Sequence, residues 1–318
     1  MYDKSTDSIF LGTVKSSSVR PDYYHVAKSS GGTEGGLEQE LFQRFESVAA
    51  PLLSALLALP HGVLPLNPMA RFDLANYIAI QRARVPAMVE RAEETAVFQM
   101  LALNDRLLSD PAAFAARAAE VNLAPHEGET LEDLRVEWLA LFRNGELEIR
   151  PPKGYALVHV LDIVMKTLPQ AFFEMDWDIR EAKAEPGLLL GDEPVVAVMP
   201  DGLASDQAKG FRTPGVEIVM PLSPARLLVL HGRRTAEVVT VAAPPRSADS
   251  HDWVRRANLA TWQSAARYVW GHEKSDLETI RDSLTAVERK DVRQVEVQNL
   301  PSEWKGYLQP GMKAADRT

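Results

Sequence analysis

The stretch that decides the fold runs from residue 172 to residue 232. It consists of FFEMDWDIREAKAEPGLLLGDEPVVAVMPDG over residues 172–202 and, after a polar loop, of VEIVMPLSPARLLVLHG over residues 216–232. Short runs rich in aliphatic and β-branched residues are typical of strands. The segments between these runs are mostly too short for crossover helices, which favours antiparallel pairing. The stretch therefore predicts an antiparallel β-sheet.

Helical periodicity dominates on both sides of this stretch. Apolar residues recur at helical spacing in segments at residues 37–58, 68–88, 95–122, 131–143, 153–168, 250–270 and 274–287. The chain therefore predicts an α+β fold, in which long N-terminal helices pack on the sheet and the helix at residues 250–270 closes it. We expect a single α+β domain over residues 1–290 and a lightly ordered C-terminal tail over residues 291–318.

Prolines and short polar residues mark several helix ends. Asn67 before Pro68 predicts an N-cap followed by proline at the first helical position. Thr130 with Asp133 three residues later loosely resembles a capping box. Pro86 predicts a kink within a helix, and Pro169 predicts a kink or an end, because proline cannot donate its nitrogen to the helix.

Composition limits the classes of function. The chain has 318 residues, 46% of them hydrophobic and 25% charged, as in a globular protein. A net charge of -9 argues against a strongly basic nucleic-acid-binding face. The absence of cysteine excludes disulfides, thiolate nucleophiles and cysteine-ligated metals. The N-terminal sequence lacks a signal-peptide layout and no apolar run approaches the roughly 20 residues that span a bilayer, so we expect a cytoplasmic protein without a membrane partner.

Five polar residues lie where an apolar helix face or a tight strand turn is expected: Glu38, Glu46, Arg84, Asp192 and Asn258. At about 100° per residue, Glu38 projects at the middle of the apolar face of the first helix and Glu46 at its edge. The turn from Gly191 to Pro194 holds Asp192 and a second carboxylate between two apolar runs. Asn258 lies within the apolar stripe of the helix at residues 250–270.

Two interpretations of these five residues stay open. Two or three carboxylates with an arginine can bind a divalent metal and orient a phosphate, which favours a metal-dependent hydrolase of phosphodiesters or nucleic acid. The alternative is a non-enzymatic interaction or regulatory module with nucleic acid or another protein as its partner. There Glu38 pairs with Arg84, Asp192 accepts backbone N–H groups and Asn258 bridges helix to sheet.

Common catalytic and nucleotide-binding motifs are missing from the sequence. There is no P-loop, no G-x-G-x-x-G and no G-x-S-x-G, which removes nucleotide-cradling and α/β-hydrolase sites. The seven histidines show no metal-ligand spacing such as H-E-x-x-H. The candidate site therefore depends on the five polar residues alone.

Ordered blocks across residues 1–272 resemble a known family. They include RPDYYHV, LEQELFQRFESVAAPLLSALL, IQRARVP, WDIREAKAEPGLLLGDEPVV, VEIVMPLSP and VRRANLATWQSAARYVWG. Their order and spacing are similar to the bacterial domain-of-unknown-function family numbered 4238, which implies no particular activity. That family has Ser-Asp-Asn-Pro where this chain has Gly191 to Pro194. Its members typically open with a His-His-Tyr-Val-Pro block without counterpart here, so either the start codon is placed too late or the segment is lacking.

Overall fold

The fold is described from a computed structural model that covers residues 1–12, 41–59, 66–146, 154–183, 185–200, 210–232 and 250–285, with the short strands at residues 26–27, 33–34, 62–63, 296–297 and 313–314. Within these residues the architecture is α+β, as the sequence predicts. The sequence EVVTVAA at residues 237–243, which is also typical of a strand, and the candidate residue Glu38 lie outside the described residues.

Eight helices lie in the described part of the chain. They are α1 (Gln43–Ala58), α2 (Pro68–Ala83), α3 (Pro86–Ser109), α4 (Pro111–Glu120), α5 (Leu131–Arg143), α6 (Tyr155–Glu174), α7 (Ser250–Ser264) and α8 (Lys274–Asp282). The Asn67 side chain accepts a hydrogen bond from Ala70 N at 2.9 Å, which confirms the predicted N-cap of α2. Thr130 and Asp133 form the predicted capping box of α5.

The strands form two main antiparallel sheets and two short strand pairs. In chain order the strands are β1 (Tyr2–Asp3), β2 (Ser8–Ile9), β3 (Val26–Ala27), β4 (Thr33–Glu34), β5 (Gly62–Val63), β6 (Asp176–Glu181), β7 (Leu190–Gly191), β8 (Val196–Val198), β9 (Glu217–Ser223), β10 (Arg226–His231), β11 (Tyr268–Trp270), β12 (Glu296–Val297) and β13 (Lys313–Ala314). The larger sheet has the order β5-β6-β10-β9-β8, and the smaller has the order β2-β1-β11-β7. The antiparallel pairing predicted for residues 172–232 is confirmed.

The chain divides into two compact units. The first comprises Met1–Met88 and Leu157–Val292, and the second comprises Val89–Ala156 and Arg293–Thr318. Both sheets belong to the first unit, whereas the second unit contains α4, α5 and most of α3. The single domain expected over residues 1–290 stays a prediction.

The strands of the larger sheet alternate their side chains between two faces, and both faces carry buried residues. One face places Val196, Val219 and Val229 in a cluster with Val254 and Ala257 of α7. The opposite face carries Trp177, whose Nε1 donates to the Phe172 carbonyl of α6 at 2.8 Å. The C-terminal helix α7 therefore covers the sheet as predicted, although it ends at Ser264 rather than near Trp270.

The smaller sheet joins the N-terminal hairpin to the segment that follows α7. Tyr2 packs against Trp262 with ring centroids 4.4 Å apart, and both side chains are buried. Buried Lys4 donates from Nζ to the Ala265 carbonyl at 2.8 Å. The Arg267 guanidinium lies 3.0 Å from Asp3 Oδ2. Apolar stacking and charge pairing thus anchor this hairpin to the end of α7.

The second unit is a small helical core. Its buried centre consists of Val97, Leu101, Leu108, Phe114 and Phe142, with Trp138 packed edge-on against the Phe114 ring at 6.0 Å. Arg135 donates to the Leu108 carbonyl near the end of α3, where a cation also complements the helix dipole. The helical segment at residues 95–122 is divided at Asp110, whose side chain caps α4 ahead of Pro111.

Pro86 acts differently from its sequence prediction, and Pro169 does not end its helix. Pro86 does not kink a continuous helix: α2 ends at Ala83, and Pro86 is the first residue of α3, where its missing N–H costs nothing. Pro169 lies inside α6, which continues to Glu174. Burial of Phe172 beyond the proline helps to hold that last turn in the helix.

One described helix is long and apolar enough to cross a membrane on length and composition alone. It is α6, with a mean hydropathy of 1.3, and 39% of that stretch is buried within the structure. One side of α6 faces the core through buried Val160, Val164 and Phe172. A core helix can meet the same test of length and composition as a membrane-spanning helix. The expectation of no membrane partner stays a prediction.

Candidate functional site

Asp192 is held by the main chain at the end of the smaller sheet. Its Oδ1 accepts from Ala266 N at 2.8 Å, and its Oδ2 accepts from Arg267 N at 2.8 Å and Tyr268 N at 3.0 Å. Gly191 allows the Asp192 turn to lie close to the end of α7, since a Cβ at position 191 would lie only 3.3 Å from the Ala265 side chain. Burial raises the pKa of Asp192, although the three N–H groups lower it. The carboxylate thus holds the backbone of the short connection between α7 and β11.

Asn258 is also used by the main chain. Its Oδ1 accepts from Leu189 N and its Nδ2 donates to the Gly187 carbonyl, both at 2.9 Å. The side chain is fully buried. Asn258 thus links α7 to the segment that leads into β7 by one accepted and one donated hydrogen bond, as a neighbouring strand would. Asp276 of α8 holds the same segment by accepting from Gly187 N at 2.7 Å.

Glu46 and Arg84 are the two candidate residues that the structure brings together. Arg84 Nη1 lies 2.5 Å from Glu46 Oε1, and the side chains are 25% and 43% exposed. The guanidinium also lies 5.9 Å from the ring centre of buried Phe42. Burial raises the pKa of neighbouring Tyr77, which also feels the charges of Arg84 and Glu46. The pair lies at the junction of α1 and the C-terminal end of α2.

Gln81 adds an unpartnered donor to this region. Tyr77, Gln81 and Arg84 follow one another at four- and three-residue spacing, which places them in one row along α2 and its C-cap. Gln81 is 6% exposed, and its buried Nε2 has no hydrogen-bond partner among the described residues. We call Glu46, Tyr77, Gln81 and Arg84 the α1–α2 polar cluster. A buried amide without a partner costs free energy unless a ligand or ordered water bonds it.

A buried ion pair that sequence reasoning missed lies beside the Asp192 turn. Glu193 is 1% exposed and pairs with Nη1 of Arg82, whose side chain is 9% exposed. The Arg82 guanidinium also lies 5.2 Å from the Phe211 ring centre. The sequence feature that could have indicated this pair is Glu193 itself, the second carboxylate in the turn from Gly191 to Pro194. Its partner Arg82 lies 111 positions away along the chain, so no local pattern shows the pair.

A second missed group crosses three strands of the larger sheet. His231 Nε2 lies 2.8 Å from Asp178 Oδ2, and its Nδ1 lies 3.2 Å from Glu217 Oε1. Arg180 Nη2 lies 2.7 Å from the same Glu217 oxygen. We call Asp178, Arg180, Glu217 and His231 the ionic network. Its members are 22–31% exposed.

The ionic network shifts the titration of two of its members. Burial alone lowers the pKa of His231, but hydrogen bonds to Asp178 and Glu217 outweigh it and raise the pKa to about 9. Burial alone raises the pKa of Glu217, but hydrogen bonds from His231 and Arg180 lower it to about 2. Both nitrogens of His231 are engaged, so the charged ring has no N–H directed elsewhere. The network consists of two cationic and two anionic side chains that link three strands, and His231 has no free N–H with which to act as an acid on a substrate.

We expect His231→Gln to remove a pH-dependent part of the stability. The folded-state pKa of His231 is raised from 6.5 to about 9, so its contribution is complete below pH 6.5 and is lost as the pH rises to 9. The Glu217 contribution is complete above pH 4.5 and is lost as the pH falls to 2. Urea unfolding should show wild type more stable than His231→Gln by on the order of 2 kcal/mol at pH 6.

At pH 9.5 the difference between wild type and His231→Gln should shrink to less than about half of its value at pH 6. Replacing the exposed His272, which lies 3.7 Å from Glu273, by Gln is the matched control. This substitution should leave the stability difference near zero at both pH values. A pH-independent loss in His231→Gln would show that packing rather than charge holds the network together.

The structure places no group of three histidine, aspartate or glutamate side chains around one ion position in the part of the chain that it describes. Asp192 and Asn258 direct their polar atoms to the main chain, whereas Glu46 pairs with Arg84. Of the predicted five-residue site, only Glu46 and Arg84 are therefore in mutual contact among the described residues. Glu38 lies outside them.

Comparison with known proteins agrees with the blocks found in the sequence. The profile of DUF4238, described as a protein of unknown function, matches residues 1–275. The chain belongs to the DUF4238 family. The matched region of this DUF4238 protein includes the α1–α2 polar cluster, the Asp192 turn and the ionic network. Neither a curated protein nor a solved structure matches the sequence.

Proposed function

We propose that the DUF4238 chain is a phosphodiester hydrolase whose substrate phosphate binds at the α1–α2 polar cluster. The observation that carries this proposal is the half-exposed Glu46–Arg84 pair in a row with the unpartnered Gln81 amide. Phosphate oxygens accept hydrogen bonds from groups of both kinds, a partly exposed guanidinium and an amide donor. Glu46 is the carboxylate beside them.

The Glu46–Arg84 pair is suited to exchange its partner. An ion pair of this exposure contributes only about 0–1 kcal/mol, so a phosphate can replace Glu46 on Arg84 at little cost. The buried Arg82–Glu193 pair has no such freedom, because separating it leaves a charge without solvent. Arg84 is therefore the better phosphate ligand of the two arginines.

Each residue of the cluster has a place in hydrolysis. Glu46, released from Arg84, accepts a proton from the attacking water, whose oxygen forms the new bond to phosphorus. The bond from phosphorus to the leaving alkoxide breaks, and the proton that Glu46 accepted passes through solvent to that oxygen, which restores the Glu46 carboxylate. Arg84 and the Gln81 amide bind the non-bridging oxygens as charge develops on them. The Tyr77 phenol, whose pKa burial raises, stays a neutral hydrogen-bond donor.

A turnover assay tests this assignment. With bis(para-nitrophenyl) phosphate as substrate, Arg84→Ala and Glu46→Gln should each lower kcat/KM by about 100-fold or more, since both groups act in the transition state. Parallel reactions with Mg²⁺, with Mn²⁺ and with a chelator determine whether a divalent cation takes part. The measurement is the release of para-nitrophenol.

The matched control is Arg117→Ala. It removes the same charge from an exposed ion pair, with Glu120, in the second unit. Its kcat/KM should equal that of wild type. Loss of turnover in Arg117→Ala, equal turnover in Arg84→Ala, or no turnover in wild type with either metal would each overturn the assignment.

The second candidate function is a non-enzymatic interaction or regulatory module. The observation that favours it is that Asp192 and Asn258 direct their polar side-chain atoms to the main chain. Residues used in this way hold helix to sheet and need no ligand. On this interpretation Asp192→Ala lowers stability, and the folded variant keeps whatever binding activity wild type has.

A further inference from the structure

Charge at the α1–α2 polar cluster restricts the kind of phosphate that fits. The cluster contains one guanidinium and one carboxylate, with Arg84 Nη1 only 2.5 Å from Glu46 Oε1. The other two members, Tyr77 and Gln81, offer neutral donors. The single positive charge of Arg84 balances one negative charge on a ligand only in part, because Glu46 already uses some of it. A second negative charge on the ligand is repelled by the Glu46 carboxylate.

The two helices that carry the cluster supply few further cations among their described residues. On α1, α2 and the C-cap of α2 the basic residues are Arg44, Arg71, Arg82 and Arg84. Arg71 donates to the Met175 carbonyl and lies against the Trp177 ring, whereas Arg82 is buried against Glu193. On these two helices Arg44 is exposed, and Arg84 is partly exposed and paired with Glu46. A polynucleotide needs a track of cations, one for each neutralised phosphate.

We propose that the substrate is a small, singly charged phosphodiester rather than a phosphomonoester or a polynucleotide, and that Glu46 sets this preference by repelling a second charge. This inference rests on the proposed function of the same cluster. The net charge of -9 on the chain acts in the same direction, because it disfavours approach of a polyanion. Two neutral donors and one arginine match a group with two non-bridging oxygens and one negative charge.

Competition binding at pH 7.5 tests the charge preference. Dimethyl phosphate should bind wild type at least about tenfold more tightly than methyl phosphate, which is mostly dianionic at that pH. In Glu46→Gln the two ligands should bind within about threefold of each other, because the repelling carboxylate is gone. Salt dependence of dimethyl phosphate binding should have a slope of about -1 in log K against log salt concentration.

Three outcomes overturn the charge preference and leave the phosphate site in place. They are tighter binding of methyl phosphate by wild type, an unchanged preference in Glu46→Gln, and tighter binding of a single-stranded oligonucleotide with a slope of about -4 or steeper. Failure of the proposed function looks different. In that case neither phosphate binds wild type, or both bind Arg84→Ala as they bind wild type. Circular dichroism of each variant confirms that it is folded before binding is measured.

Discussion

Replacing Glu193 by alanine is expected to lower the free energy of unfolding by about 3–5 kcal/mol. Glu193 is 1% exposed and neutralises the Arg82 guanidinium, whose Nε already has no partner among the described residues. Removing the carboxylate leaves a positive charge buried between α2 and the turn that follows β7, where water cannot solvate it. Urea unfolding followed by tryptophan fluorescence measures this loss.

Two further variants test whether the buried charge of the Arg82–Glu193 pair causes this loss. The double replacement of Arg82 by Met and Glu193 by Leu should recover most of the lost stability, because apolar residues of similar volume need no partner. Glu46→Ala breaks a half-exposed pair and should cost less than about 1 kcal/mol. If Glu193→Ala also costs less than about 1 kcal/mol, the Arg82–Glu193 pair is not the electrostatic link between α2 and the sheet that its burial indicates.

The architecture of the sheet could be predicted because it depends on local patterns. Aliphatic runs with short separators identified β6, β8, β9 and β10 as antiparallel strands, and Asn67 and Thr130 marked two helix starts. The ends of elements depended on distant partners. The helix predicted at residues 250–270 ends at Ser264. Beyond that end, the backbone N–H groups from Ala266 onward donate to the Asp192 carboxylate, which lies 74 positions away in the sequence.

The candidate site could be predicted only in part. The helical spacing placed Arg84 on the apolar face of α2 or at its edge, and the structure leaves it partly exposed as the C-cap but buries Arg82, which the spacing did not single out. Periodicity gives the direction of a side chain but not the position of the sheet. The ionic network was missed for a related reason. Asp178, Glu217 and His231 meet only through the strand register, which the sequence does not contain.

Asp192→Ala is expected to lower the free energy of unfolding by about 2–3 kcal/mol, even though it removes no ion pair. The carboxylate accepts three backbone N–H groups, from Ala266, Arg267 and Tyr268. Without it these groups must find water at a junction where Gly191 lies in close contact with α7. The loss is smaller than the sum of three hydrogen bonds, because burying the charge of Asp192 itself costs free energy, as its raised pKa indicates. Urea unfolding at pH 7 measures the change.

Asp192→Asn tells hydrogen bonding apart from chemistry at this position. An amide keeps one acceptor oxygen, so the variant should lose about half as much stability as Asp192→Ala. At a temperature where both variants are folded, phosphate binding at Arg84 should equal that of wild type, because Asp192 bonds the turn before β11 rather than the α1–α2 polar cluster. The opposite pattern, with unchanged stability and lost turnover in both variants, would make Asp192 a catalytic residue and contradict its role as the anchor between α7 and β11.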